Sequence, residues 1–220
     1  MLTSCFLSGG EFMARCIIIA PLYRGEESAW LRKRAGDLVI CADGGFRAAQ
    51  AYGVTPDLVI GDFDSLGYVP EGVDVIQLPV HKDDTDLVVC IREGRRRGYQ
   101  EFIVAGCLGG RFDHTLSCLQ CAADCAKRGE KIWLCDDQNR VTVLGPGSYE
   151  IAPLTSRLFS VLAYTPAVTG VTLKGTKWTL DNAELTNNYP LGCSNEIVDG
   201  CARLTFESGL LVMCLSGDER

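Results

Sequence analysis

Leu38-Val39-Ile40-Cys41-Ala42-Asp43-Gly44-Gly45 leads directly into the amphipathic stretch Phe46–Tyr52. Five apolar residues in a row have the length and character of a strand buried on both faces, and the spacing after Gly45 is that of a helix. The same unit recurs on either side. Further candidate strands are Cys16–Ala20, Leu58–Gly61, Val73–Leu78, Glu101–Ala105 and Lys131–Cys135, and helical patterns cover Glu27–Ala35, Asp84–Arg97 and Asp113–Arg128. Strand–helix alternation requires right-handed crossovers and gives a mostly parallel sheet with flanking helices. Residues 13–137 therefore read as a Rossmann-like α/β domain. Arg95, Arg96 and Arg97 before Gly98 mark a helix C-terminus, where cations meet the negative dipole end, rather than a phosphate-binding patch.

From about Gln138 the rhythm changes. Short β-rich pieces follow at close spacing, punctuated by Gly and Pro: Arg140–Leu144, Ser148–Ile151, Leu158–Tyr164, Val168–Leu173, Lys177–Leu180, Glu196–Val198, Ala202–Glu207 and Gly209–Leu215. Such a series predicts a C-terminal β-sandwich or barrel-like domain over 138–220, of which the sandwich is the expectation taken forward. Residues 1–12 precede Met13 and form an extension of no assigned role. They carry no basic n-region and Gly9, Gly10 and Glu11 interrupt their apolar start, so they are not a secretory signal.

Composition narrows the function. The chain has 220 residues, 47% of them hydrophobic and 22% charged, which is the balance of a globular protein. Twenty-one Lys and Arg against 28 Asp and Glu leave a net charge of −7, the wrong sign for tracking nucleic acid by its backbone. No apolar run approaches the roughly 18–20 residues of a membrane helix. The 12 cysteines sit mainly inside apolar runs, as reduced core thiols of a cytoplasmic protein do. His114, Cys118, Cys121 and Cys125 share one face of a helix, but the outer pair would lie roughly 16 Å apart along the axis. One zinc ion cannot collect all four, so the stripe reads as a packing face.

Ligands of an open parallel sheet bind beyond the carboxyl ends of its strands. Four consecutive strands are followed there by Asp43-Gly44-Gly45, by Asp62-Phe63-Asp64-Ser65, by Lys82-Asp83-Asp84-Thr85-Asp86 and by Gly109-Gly110-Arg111-Phe112-Asp113-His114. Taken singly each is an ordinary turn or cap. Together they bring Asp43, Asp62, Asp64, Asp86 and Asp113 to one sheet edge, where their charges would repel strongly without a cation. Mg²⁺ suits such a set, because hard cations prefer carboxylate oxygens and share them with phosphates. Gly44, Gly45, Gly109 and Gly110 allow backbone N–H groups close to phosphate oxygens, with helix N-termini following. Arg111 adds a fork of donors for developing charge. The combination points to phosphoryl or pyrophosphoryl transfer, and the absence of GxxxxGK[ST] excludes a P-loop enzyme. In the β-rich part, Trp178 offers an indole face for a flat or cationic aromatic ligand, with Ser194 and Asn195 able to fix a polar edge.

These motifs, with Pro56-Asp57 ahead of the third strand and Lys177-Trp178 and Ser194-Asn195-Glu196 late in the chain, occur in the order seen in thiamine pyrophosphokinases, and the sequence resembles a bacterial-type member from about Ala14 to Leu215. The resemblance implies transfer of a pyrophosphoryl group from ATP to the hydroxyl of thiamine, giving thiamine diphosphate and AMP. It also implies a homodimer whose active sites lie between subunits. By similarity Asp62, Asp64 and Asp86 would hold Mg²⁺, while Asp43, Thr85 and Arg111, with the glycines, would handle ATP phosphates. Asp113 would sit near the acceptor hydroxyl as base or orienting group. Trp178 would stack on thiamine, with Ser194 and Asn195 at its pyrimidine. Thr176 departs from the pattern, since an apolar residue is expected beside the Trp, and Lys82 takes no role. The alternatives are a pyrophosphokinase for another hydroxymethyl heterocycle, such as a pterin, and a non-catalytic thiamine or nucleotide sensor.

Overall fold

Parallel pairing of short, buried, apolar strands organises the first half of the chain. A computed structural model of the protein describes residues 13–25, 31–80, 83–153 and 157–217. The extension 1–12, Lys82 and residues 27–30 of the expected first helix lie outside them. By its internal contacts the chain forms two compact units, residues 13–121 with 130–137, and residues 122–129 with 138–217.

In the first unit β1 (Cys16–Ile19), β2 (Leu38–Ala42), β3 (Leu58–Gly61), β4 (Asp74–Gln77), β5 (Glu101–Ala105) and β6 (Lys131–Cys135) lie in the order β4-β3-β2-β1-β5-β6. Every neighbouring pair among these six is parallel. The chain builds outward from β1 to β4, then returns to place β5 on the other side of β1. β1, β2 and β3 are buried at every position, whereas β4, the edge strand, is half-open. Helices α1 (Gly45–Ala51) and α2 (Asp86–Arg96) pack on β1 and β2, and α3 (Phe112–Lys127) follows β5. The His114, Cys118, Cys121, Cys125 stripe lies along α3, with Cys118 and Cys125 buried.

The expected helix Glu27–Ala35 does not extend over residues 32–35. Their backbone is recruited elsewhere. Arg15 and Asp37 form a buried ion pair, the Arg34 N–H donates to Asp37 Oδ2 at 3.0 Å, and the Arg32 carbonyl accepts from Arg15 at 3.0 Å. A buried charge pair persists only when its remaining hydrogen-bonding capacity is met, and here that demand overrides helix propensity.

The second unit is antiparallel throughout its paired strands. β7 (Asn139–Leu144), β9 (Arg157–Ala163) and β13 (Leu211–Gly217) pair in the order β7-β13-β9. β8 (Gly147–Ile151), β10 (Ala167–Lys174), β11 (Leu180–Thr186) and β12 (Ala202–Phe206) form a separate sheet in the order β11-β10-β12-β8. Two expected strands are corrected. Lys177–Leu180 is a bend, with the strand starting only at Leu180, and Glu196–Val198 contributes an isolated bridge from Ile197 to Thr176. Side-chain hydrogen bonds replace the ladder there, as described below. Among the described residues no helix is long and apolar enough to cross a membrane, and the 11 cysteines are all free.

The three arginines end α2 as expected. Arg97 is its C-cap, Arg95 pairs with Glu130, and Arg96 and Arg97 both donate to Glu93. Glu93 is buried, and these bonds, Arg96 foremost, hold its carboxyl down at about 2 against an ordinary 4.5. A depressed acid stabilises the fold above its unfolded value and loses that contribution as pH falls through the folded one. Glu93→Gln is therefore expected to lower stability at pH 7 by about 1–2 kcal/mol. Urea unfolding should also show that the variant loses less stability than the parent as the pH falls from 4.5 toward 2.

Candidate active site

The acidic motifs converge where β2 and β3 end. Carboxylate oxygens of Asp43, Asp62 and Asp64 lie within 4.8 Å of one another. Among the described residues no other set of three metal-type ligands comes this close. Asp43 follows β2 in the left-handed region, with φ 42°, and it is buried. Its N–H donates to the Ile60 carbonyl at 2.8 Å, which ties the turn to β3, and its carbonyl accepts from Phe46 at 3.0 Å as α1 begins. Its Oδ2 accepts from the Ser65 hydroxyl, and its Oδ1 is buried without a hydrogen-bond partner. A buried carboxylate oxygen left open beside two further carboxylates is a donor set for a hard cation.

Gly61 permits this crowding, and Gly45 a close approach to β1. A Cβ on Gly61 would stand 2.8 Å from the Asp43 Cβ, and one on Gly45 would stand 2.1 Å from the Ile19 carbonyl oxygen. Phe63 also adopts a positive φ, 63°, and buries its ring while Asp64 is exposed and Asp62 half-exposed. The Asp64 N–H reaches Asp62 Oδ1 at 3.4 Å, and the buried Leu66 gives the loop a second apolar anchor. Non-glycine residues pay a steric penalty in this region and persist there only where the surroundings over-determine them.

The other expected groups occupy helix starts. Thr85 is the N-cap of α2, its hydroxyl accepting from the Val88 N–H at 3.4 Å, and Asp86 is the first helical residue. Asp86 is not a member of the close carboxylate set. Gly109 and Gly110, both at positive φ, lead into α3. Arg111 and Asp113 are both exposed and pair with each other at 2.6 Å. That guanidinium is the chief cause that holds the Asp113 carboxyl below the usual carboxylate range.

Trp178, Ser194 and Asn195 come together within the second unit. The Trp178 indole is 55% exposed, and the Lys177 ammonium lies 4.7 Å from its ring centroid, itself paired with Glu196 at 2.9 Å. Ser194 is exposed at φ 57°, with its N–H donating to Ser160 Oγ at 2.9 Å. Asn195 is buried and spends its side chain on main chain: Oδ1 accepts from Trp178 and Glu196, and Nδ2 donates to the Trp178 carbonyl. Thr176 is buried too, and its hydroxyl donates to that same carbonyl at 2.9 Å. The sequence reading gave no role to Ser65 or to Thr176. A hydroxyl directly after Asp-x-Asp was the available signal for the first, while nothing in the local pattern marks the second.

A carboxylate cluster at the ends of β2 and β3, with a glycine turn opening α1, is an arrangement of the kind that phosphoryl-transfer sites use. Comparison with known proteins narrows the class. The family description "Thiamin pyrophosphokinase, catalytic domain" matches residues 31–134, and "Thiamin pyrophosphokinase, vitamin B1 binding domain" matches residues 149–211. Thiamine pyrophosphokinase of Bacillus subtilis is 27% identical over 197 residues, 89% of this chain and 91% of the relative. Its crystal structure superposes with a TM-score of 0.83, covering 93% of this chain and 100% of that one. A thiamin pyrophosphokinase family protein from Enterococcus faecalis, 28% identical, gives 0.80 and covers 94% and 100%. The chain belongs to the thiamine pyrophosphokinase family.

Gly61→Ala tests the crowding directly. The added methyl meets the Asp43 backbone and side chain, so a loss of about 1–3 kcal/mol in urea unfolding is expected. Ser65→Ala, by contrast, should leave stability within about 0.5–1.5 kcal/mol of the parent.

Proposed function

We propose that the chain transfers a pyrophosphoryl group from ATP to the hydroxyl of thiamine, releasing AMP and thiamine diphosphate. The observation that carries this reading is the Asp43, Asp62, Asp64 cluster with its open buried oxygen, in a chain of this family. The all-oxygen donor set fits Mg²⁺, held by Asp62 and Asp64 with Asp43 beside them and Asp86 joining from the start of α2. Bound there, Mg²⁺ would neutralise triphosphate charge as it develops during transfer.

The remaining steps are the work of the chain's own residues. Backbone N–H groups at Gly44–Gly45 and Gly109–Gly110 receive phosphate oxygens, as does Thr85 at the head of α2. Arg111 presents its fork to the triphosphate. The thiamine hydroxyl attacks the β-phosphorus, a new P–O bond forms, the hydroxyl proton passes to solvent water, and the bond from that phosphorus to the oxygen of AMP breaks in line. Asp113 orients the hydroxyl.

In the β-rich unit, read as a sandwich because β12 alternates buried and exposed positions, the Trp178 indole stacks on the aromatic cation and Ser194 meets its pyrimidine. The working form is a homodimer with each reaction centre shared between two chains. Phe112 and Leu116, 74% and 46% exposed on the first turns of α3, supply apolar surface for a second copy. The free buried cysteines suit a reducing compartment, and we place the enzyme in the cytoplasm.

Chromatography of protein incubated with ATP, Mg²⁺ and thiamine should show AMP rising in step with thiamine diphosphate. ADP with thiamine monophosphate would overturn the group transferred, and ATP binding without any thiamine product would favour a pterin-type acceptor or a sensor. Asp64→Asn is expected to lower kcat by at least about 10²-fold while urea unfolding stays near that of the parent. Retained activity in that variant would remove the cluster from the metal role.

A further inference from the structure

Trp178 is loosely packed by its ring and tightly held by its main chain. Its N–H donates to Asn195 Oδ1 at 3.1 Å, and its carbonyl accepts from Asn195 Nδ2 at 2.6 Å and from Thr176 Oγ1 at 2.9 Å. Asn195 Oδ1 also takes the Glu196 N–H at 2.8 Å, so three of the four bonds open to that side chain go to backbone. Both clasping residues are 4% exposed, whereas the indole they hold is 55% exposed.

The clasp is itself anchored. Asn195 exchanges backbone hydrogen bonds with Phe159 of β9 in both directions, at 2.7 and 2.8 Å. Thr176 is bridged to Ile197, and the Lys177 N–H donates to the Glu196 carbonyl at 2.9 Å. Burying two polar side chains is unfavourable unless their hydrogen bonds are met, and here most of those bonds converge on one solvent-facing residue. A tryptophan that served the core would need no such support, because packing would fix it.

We propose that Thr176 and Asn195 are positioning residues for the acceptor: they lock the main chain of Trp178, and so fix the point and direction from which its side chain leaves the backbone toward an aromatic cation. The proposal rests on the reading that Trp178 stacks on thiamine. Preorganising an exposed side chain removes part of the ordering cost that binding would otherwise carry, so the clasp acts on thiamine affinity and not on the chemical step. Lys177 stands against the same ring.

Steady-state kinetics of the full chain test this with four variants. Thr176→Val keeps shape and removes the hydroxyl, and it should raise the thiamine KM about tenfold, with kcat and the ATP KM changed less than about twofold. Thr176→Ser restores the donor and should return the thiamine KM to within about twofold of the parent. Asn195→Asp should behave as Thr176→Val does, with the near-ultraviolet circular dichroism of tryptophan weakened in both. Trp178→Ala is the control. A raised thiamine KM in Trp178→Ala alone overturns the clasp and leaves the stacking reading standing. An unchanged thiamine KM in Trp178→Ala overturns the stacking reading and the proposal with it. A fall in kcat that accompanies unchanged KM values in Thr176→Val and persists in Thr176→Ser also overturns it, since that is the signature of lost folded protein. Should Asn195→Asp not fold, the valine and serine pair decides.

Discussion

Three carboxylates held within 4.8 Å are mutually repulsive, and the local architecture of the first unit is arranged to tolerate them. Asp43 is pinned from both sides, to β3 through the Ile60 carbonyl and to α1 through Phe46, and Ser65 fixes one of its oxygens. Absence of a side chain at Gly61 makes room for it. Phe63 and Leu66 anchor the neighbouring loop in the core, so Asp62 and Asp64 cannot retreat from Asp43 by moving the backbone. The local strain is stored by apolar anchors and hydrogen bonds that have no part in the chemistry.

Much of this was legible in the sequence. Leu38–Ala42, Leu58–Gly61, Glu101–Ala105 and Lys131–Cys135 are strands at the boundaries their apolar runs predict, because a strand buried on both faces admits little else. The clustering of Asp43, Asp62 and Asp64 follows from their places after adjacent parallel strands. Long-range polar interactions were not legible. Asp37 lies 22 residues from Arg15, and no periodicity announces that this pair will dissolve a helix over residues 32–35. Likewise β11 runs through Asp181, Asn182 and Glu184, three exposed polar residues that hide the strand. The alternating apolar character of Lys177–Leu180 suggested a strand that the buried hydroxyl and amide of Thr176 and Asn195 convert into a bend.

The two units solve the same problem by opposite means. In the first, exposed or half-exposed charged groups are supported by buried apolar ones. In the second, an exposed apolar ring is supported by buried polar ones. Either way the group that meets solvent is fixed by residues that do not, and these supporting residues carry hydrogen-bonding or packing capacity that the fold alone would not demand.

The cysteines have a consequence for how the protein ages. Burial pushes the Cys16 and Cys41 thiols up to about 12 and Cys214 to about 11, so almost none of each is thiolate at neutral pH. Oxidants and alkylating agents act on the thiolate, and the fully buried Cys16 and Cys41 become available to them only when the fold opens. Cys193, the exposed cysteine of the described set, adjoins Ser194, with its thiol 3.6 Å from the Ser194 hydroxyl. In the intact protein Cys193 meets oxidants ahead of the buried thiols, while the core thiols record how often the structure around them has come apart.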